Sequence, residues 1–187
     1  LTIQGDLDGA AELYETARKK TGGPDLYAFE MARLCTARML FVQALAEYLK
    51  VIETYPAAYS FAEQMLKTVP EGQVPASEFT VMLDNYLRKH PESIRAGRLL
   101  SLVRTRSGDS EGAIRAVLDP SVAAGNAQEV WTLAEDLNTR GLAKEAVMAY
   151  GALAEKFREY PNRSAALLKS AALRMSLGDR DGAKRDY

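Results

Sequence analysis

The chain has 187 residues and a formal net charge of −1, from 24 Lys+Arg against 25 Asp+Glu, with one His, one Cys and one Trp. That balance supplies no field to draw in phosphate backbones or anionic lipid, so nucleic-acid binding is not expected. The single Cys35 excludes an intrachain disulfide and a multi-cysteine zinc site, and no apolar run approaches the roughly 20 residues of a membrane span, so direct membrane insertion is not expected.

Composition favours helix. The sequence holds 29 Ala and 23 Leu against 14 Val plus Ile, a strong excess of helix formers over β-branched residues that predicts almost no strand. Residues 1–4 read as the tail of a helix. Gly5-Asp6-Leu7-Asp8-Gly9-Ala10 comes next, and the same pattern returns as Gly108-Asp109-Ser110-Glu111-Gly112-Ala113 and Gly178-Asp179-Arg180-Asp181-Gly182-Ala183, with a weaker copy from Gly141 to Ala146. The glycine can take the left-handed conformation that ends one helix, and the aspartate can accept the free amides that begin the next. The predicted unit is therefore helix, tight turn, helix.

Gly22-Gly23-Pro24 reads as a turn between units, since no Lys-Ser/Thr follows to make a phosphate loop. Over residues 42–55 two apolar stripes run along one predicted helix: Val42, Leu45, Leu49 and Ile52, and Ala44, Tyr48, Val51 and Tyr55. Such a helix needs cover on two sides, as stacked helix pairs provide. The loop Pro70-Glu71-Gly72-Gln73-Val74-Pro75 replaces a tight turn in the next unit, where Phe79 stands in place of Ala. Prolines at 56, 91, 120 and 161 are expected to close units, the early Pro120 leaving a short helix before it.

Ala10, Ala44, Phe79, Ala113, Ala146 and Ala183 are spaced by 34, 35, 34, 33 and 37 residues. A small side chain there lets paired helices approach closely. Four residues further on stand Tyr14, Tyr48, Leu83, Val117, Tyr150 and Tyr187, all on the same helical face and expected to pack between helices.

The fifth unit carries Val130, Leu133-Ala134 and Leu137, then Ala146, Tyr150 and Pro161; the second carries Ala28, Met31-Ala32 and Cys35, then Ala44, Tyr48 and Pro56. In the fourth the pattern is Leu100-Ser101, Ala113 and Val117. With this period, these residues resemble the tetratricopeptide repeat family, although the family's leading aromatic is missing. The resemblance covers essentially the whole chain. It implies an all-α fold, a right-handed α-α superhelix built as a solenoid of antiparallel helix pairs, with one array over 1–187 and units of roughly 1–23, 24–56, 57–91, 92–120, 121–161 and 162–187. The Tyr-Pro and His-Pro endings at Tyr55-Pro56, His90-Pro91 and Tyr160-Pro161 are similar to repeats of bacterial periplasmic and outer-membrane assembly proteins, which favours the periplasm or cell envelope over the cytoplasm. Neither end reads as a polar capping unit, so the chain is expected to be a segment of a longer protein, with self-association through uncapped ends open to it.

No chemical constellation competes with this reading. His90 lies at a helix end, where a polar side chain can meet free carbonyls, and Cys35 has the apolar neighbours of a buried small hydrophobe. No cofactor, metal or catalytic group is expected. The resemblance implies that first-helix residues line an inner surface that binds peptide or protein segments: Phe29, Glu30 and Arg33; Arg95, Arg98 and Leu102; Gln128, Trp131, Glu135 and Asn138. Trp131 faces either that groove or the core between units, because a one-residue shift of register exchanges the two. The Lys/Asn clamp with which some members hold a chaperone C-terminus has no counterpart here. The expected function is a non-catalytic protein- or peptide-binding scaffold; the alternative is the recognition or regulatory part of a larger enzyme or of an envelope-assembly system.

Overall fold

A computed structural model describes residues 7–70 and 72–186. Among them are eleven helices and no strand: α1 (Leu7–Thr21), α2 (Ala28–Ala37), α3 (Phe41–Val51), α4 (Pro56–Thr68), α5 (Ala76–Lys89), α6 (Ile94–Arg106), α7 (Ser110–Ala123), α8 (Ala127–Thr139), α9 (Ala143–Lys156), α10 (Arg163–Ser176) and α11 (Arg180–Asp186). Contacts are sequential, each helix packing on its neighbours in the chain or one step beyond, as in an all-α helical repeat. The most extensive packing is between α6 and α7, α9 and α10, α2 and α3, and α8 and α9, whereas α7 and α8 meet more sparingly.

The repeating alanines sit where the helices cross. Ala44, Ala113, Ala146 and Ala183 are buried, as are Tyr48, Leu83, Val117 and Tyr150 one turn on, whereas Ala10 and Tyr14 on α1 are only partly covered. The Gly5-Asp6 turn, the expected helix tail at 1–4, and Tyr187 lie outside the described residues.

The turns share one construction. In α6/α7, α8/α9 and α10/α11 a left-handed glycine (Gly108, Gly141, Gly178) ends the first helix, and the next amide reaches back five residues: Asp109 to the Arg104 carbonyl at 2.9 Å, Leu142 to Leu137 at 3.0 Å, Asp179 to Arg174 at 2.9 Å. Asp109 and Asp179 then accept the Gly112 and Gly182 amides at 2.9 and 2.8 Å. A methyl group on Gly112 or Gly182 would press on the capping carboxylate and require that side chain to shift.

The α2/α3 turn makes the same back-bond, from Leu40 to the Cys35 carbonyl at 2.8 Å, but its left-handed residue is Met39, at φ 58° and 63% exposed. A side chain in that conformation costs about 1–2 kcal/mol, while glycine loses up to about 1 kcal/mol more chain entropy on folding. Met39→Gly should therefore stabilise the protein by roughly 0.5–1 kcal/mol, read as a higher denaturation midpoint; a lower one would mean that Met39 is not left-handed in solution.

Two prolines act differently from the sequence expectation. Pro56 opens α4, at a position whose amide has no helical partner, rather than closing α3. Pro120 lies inside α7, which is not short: the helix continues to Ala123, with the Ala124 amide bonded to the Pro120 carbonyl at 2.8 Å.

The third unit departs as its sequence suggests. Helices α4 and α5 both pack on α3 and α6, and Phe79 of α5 is buried in the core they share. Beneath the loop a cavity of about 330 Å³ is lined by Leu66, Val69, Val74, Phe79 and Val103. Arg106 closes one side, donating to the Leu66 and Val69 carbonyls at the end of α4.

Candidate functional site

The first helices α2, α4, α6, α8 and α10 are linked side chain to side chain. Arg33 on α2 lies over the Phe61 ring of α4, 5.4 Å from its centroid. Tyr59 of α4 stands beside Arg98 of α6 and donates to Glu63 at 3.3 Å. Arg98 Nε donates to Glu129 of α8 at 3.0 Å, and Lys169 of α10 donates to both oxygens of Glu135 on α8 at 2.6 and 2.7 Å. Six of the ten expected residues take part in these networks on the first helices: Phe29 and Arg33 at one end, Arg98 in the middle, and Trp131, Glu135 and Asn138 at the other.

At the second end the networks meet around Tyr150, whose side chain is fully buried. Its hydroxyl donates to Glu135, Asn138 lies within hydrogen-bonding reach, and the Trp131 ring packs against it at 5.9 Å with an interplanar angle of 64°. Lys169 Nζ sits over Trp131, 5.3 Å from the centroid. Trp131 thus meets neither extreme of the expectation: it is half-buried, with Tyr150 against the ring and Lys169 over it. Burial pushes the Glu135 carboxyl up, but the Lys169 and Tyr150 hydrogen bonds outweigh it and hold the group below the usual carboxylate range. Burial, then the bond and charge of Glu135, push the Tyr150 phenol well above its ordinary value.

A carboxyl that ionises more readily in the folded state stabilises the fold above its unfolded pKa and loses that contribution as pH falls through the folded value. Wild type and Glu135→Gln, compared by thermal unfolding from about pH 7 downward, should therefore converge below about pH 4, the ordinary carboxyl range. A gap that stays constant would mean that no charge-dependent contact is made.

The other four expected residues are used elsewhere or lie at the margin. Arg95 donates to the Ile52 and Glu53 carbonyls at 2.8 and 3.0 Å, tying α6 to the end of α3. Glu30 lines a cleft with Leu13, Tyr14 and Tyr27, facing α1. Leu102 packs against the core. Gln128 accepts from the Tyr160 hydroxyl at 2.7 Å, beside the α9–α10 turn.

Sequence reasoning missed Phe61, Tyr55 and Lys169. Phe61 and Tyr55 are 44% and 47% exposed and join Phe29 in one aromatic cluster, with edge-to-face contacts at 5.2 and 4.7 Å. A signal was present, since Phe61 and Lys169 each lie about one repeat downstream of the residue they touch, Phe29 and Glu135.

Cys35 is buried, and burial raises its thiol pKa away from reactivity. His90 ends α5 with its ring stacked on Tyr86 at 4.4 Å. No group of three His, Cys, Asp or Glu side chains placed to hold a metal occurs among the described residues, and no helix among them is long and apolar enough to cross a membrane. No family model matches the chain, and no curated protein matches it.

Proposed function

We propose that the chain is a non-catalytic scaffold of the tetratricopeptide-like kind, which binds a protein or peptide segment along the face made by α2, α4, α6, α8 and α10. The observation that carries this reading is the aromatic cluster in which exposed Tyr55 and Phe61 pack on half-buried Phe29, set at one end of a face whose helices are joined by side-chain links. Rigid rings presented to solvent supply contact area at little conformational cost, and a cluster of them is unusual on a surface with no partner. The links from Arg98 to Glu129 and from Lys169 to Glu135 keep the rest of the face ordered.

Selection from a displayed library of random 12-residue peptides, followed by amide chemical-shift mapping of the enriched sequences, tests the reading. Enrichment with shifts confined to the first helices supports it. Failure to enrich any sequence, or shifts on α3, α5, α7 and α9, would overturn it.

A further inference from the structure

The chemistry of the Phe29 end narrows the class of partner. Among the described residues of the first-helix face, the cations other than Arg33 are engaged: Arg95 by backbone carbonyls, Arg98 by Glu129, Lys67 by Glu63 and Lys169 by Glu135. Arg33 is the exception. It is exposed and forms no hydrogen bond or ion pair among the described residues; its guanidinium lies over ring faces, 6.0 Å from the Phe29 centroid and 5.4 Å from that of Phe61, with the Tyr48 phenol near enough to feel its charge. Glu30, one turn earlier on α2, lines the cleft toward α1 and forms no ion pair with it.

An arginine held over aromatic faces keeps its N–H edge for a planar acceptor, and because the rings fix the side chain in advance, less entropy is lost when that acceptor arrives. The apolar part of the site is equally fixed. Phe29 packs edge to face on both Tyr55 and Phe61, which brings the three rings together beside the guanidinium.

We propose that Arg33 with Phe29, Tyr55 and Phe61 forms the anchor subsite of the scaffold, reading a partner segment in which an aromatic or large aliphatic side chain stands next to an internal Asp or Glu. The apolar residue covers the exposed rings while the carboxylate pairs with the free edge of Arg33. This rests on the scaffold reading and adds the partner's chemistry and the end of the face at which it binds. Trp131, already packed between Tyr150 and Lys169, is then not the main anchor.

The test uses decapeptides acetylated and amidated at their ends, in a Gly/Ser background: Asp-Phe-Asp at the centre, the same with Lys for Asp, the same with Ala for Phe, and a fourth with Phe, no Asp and a free C-terminal carboxylate. Each is titrated into the isotope-labelled protein and followed by amide shifts. The expected result is binding of the Asp-Phe-Asp peptide with shifts at α2 and the start of α4. Affinity should fall about tenfold or more, the scale of one charged hot-spot contact, for the Lys or Ala peptide and for Arg33→Gln or Phe61→Ala, and fall as salt rises. Both replaced side chains are largely exposed, so the variants should stay folded, and Arg115→Gln, at an exposed position on α7, serves as a control that leaves peptide binding unchanged.

Binding that is indifferent to Arg33→Gln, or shifts confined to α8 and α10, overturns the proposal and leaves the scaffold reading intact. Equal binding of the free-carboxylate peptide overturns the internal-acid assignment. No binding of any of the four, with peptides from the random library still mapping to the first helices, overturns the subsite alone; failure of both experiments overturns the subsite and the scaffold together.

Discussion

Replacing Gly97 by alanine is expected to lower the unfolding temperature of the protein, whereas the same exchange at Gly151 should raise it. Both glycines lie inside helices, where alanine is normally favoured by about 0.5–1 kcal/mol. At Gly151 on α9 an added Cβ meets nothing within 4 Å, so the helix-forming gain stands alone. At Gly97 on α6 the same atom would fall far inside van der Waals contact with the Ala116 carbonyl oxygen of α7 and 2.9 Å from Pro120 Cγ. A backbone oxygen cannot swing away as a side chain can, so the helices must part, and overpacking of this kind costs about 1–3 kcal/mol. The cost exceeds the gain, which sets the sign. Thermal unfolding followed by circular dichroism checks it, and a rise at both positions would mean that α6 and α7 do not approach this closely.

The second large effect is at Tyr150. Tyr150→Ala removes a fully buried ring and should cost about 3–5 kcal/mol, on the scale of large aromatic truncations. Tyr150→Phe keeps the ring and removes only the hydroxyl. Glu135 still holds both bonds from Lys169, so the loss should be about 1 kcal/mol. Chemical denaturation of the two variants separates ring packing from the polar network. If the phenylalanine variant lost as much as the alanine variant, the network and not the ring would be holding α8, α9 and α10 together.

How far the fold could be read from the sequence depended on whether a signal was local. The Gly-Asp turns announce themselves because left-handed glycine and an aspartate cap act within a few residues, and Asp109 and Asp179 do what their positions imply. Met39 takes the same backbone conformation without the glycine that would have marked it. Pro120 misleads because its usual effect is local and its accommodation is not. The missing amide leaves the Ala116 carbonyl without its helical donor, and Gly97 of another helix packs against that oxygen. The same distinction divides the site. Phe29, Arg33 and Trp131 could be found by period, but Arg95 could not be seen to be occupied by the end of α3, because nothing near it in sequence shows which carbonyls will lie opposite. Arg104 and Arg174 each stand four residues before a left-handed glycine; Arg104 ties the end of α6 to the Gly112 carbonyl of α7, and Arg174 ties the end of α10 to the Asp179 carboxylate. That repeat was legible and lies hidden among ordinary basic helix termini.

The buried residues form two clusters, and α7 belongs to both: Ala116 lies in the first, with α2 to α6, while Ile114 and Leu118 lie in the second, with α8 to α10. The seam between the halves therefore runs along a helix and not through a loop. Loss of either cluster strips one side of α7, so melting of one half loosens a wall of the other. The single tryptophan, Trp131, packs against the second cluster. Its fluorescence thus tracks one half of the molecule while ellipticity tracks both, and the separation between the two melting curves is a direct measure of how strongly one shared helix binds the halves into a single unfolding unit.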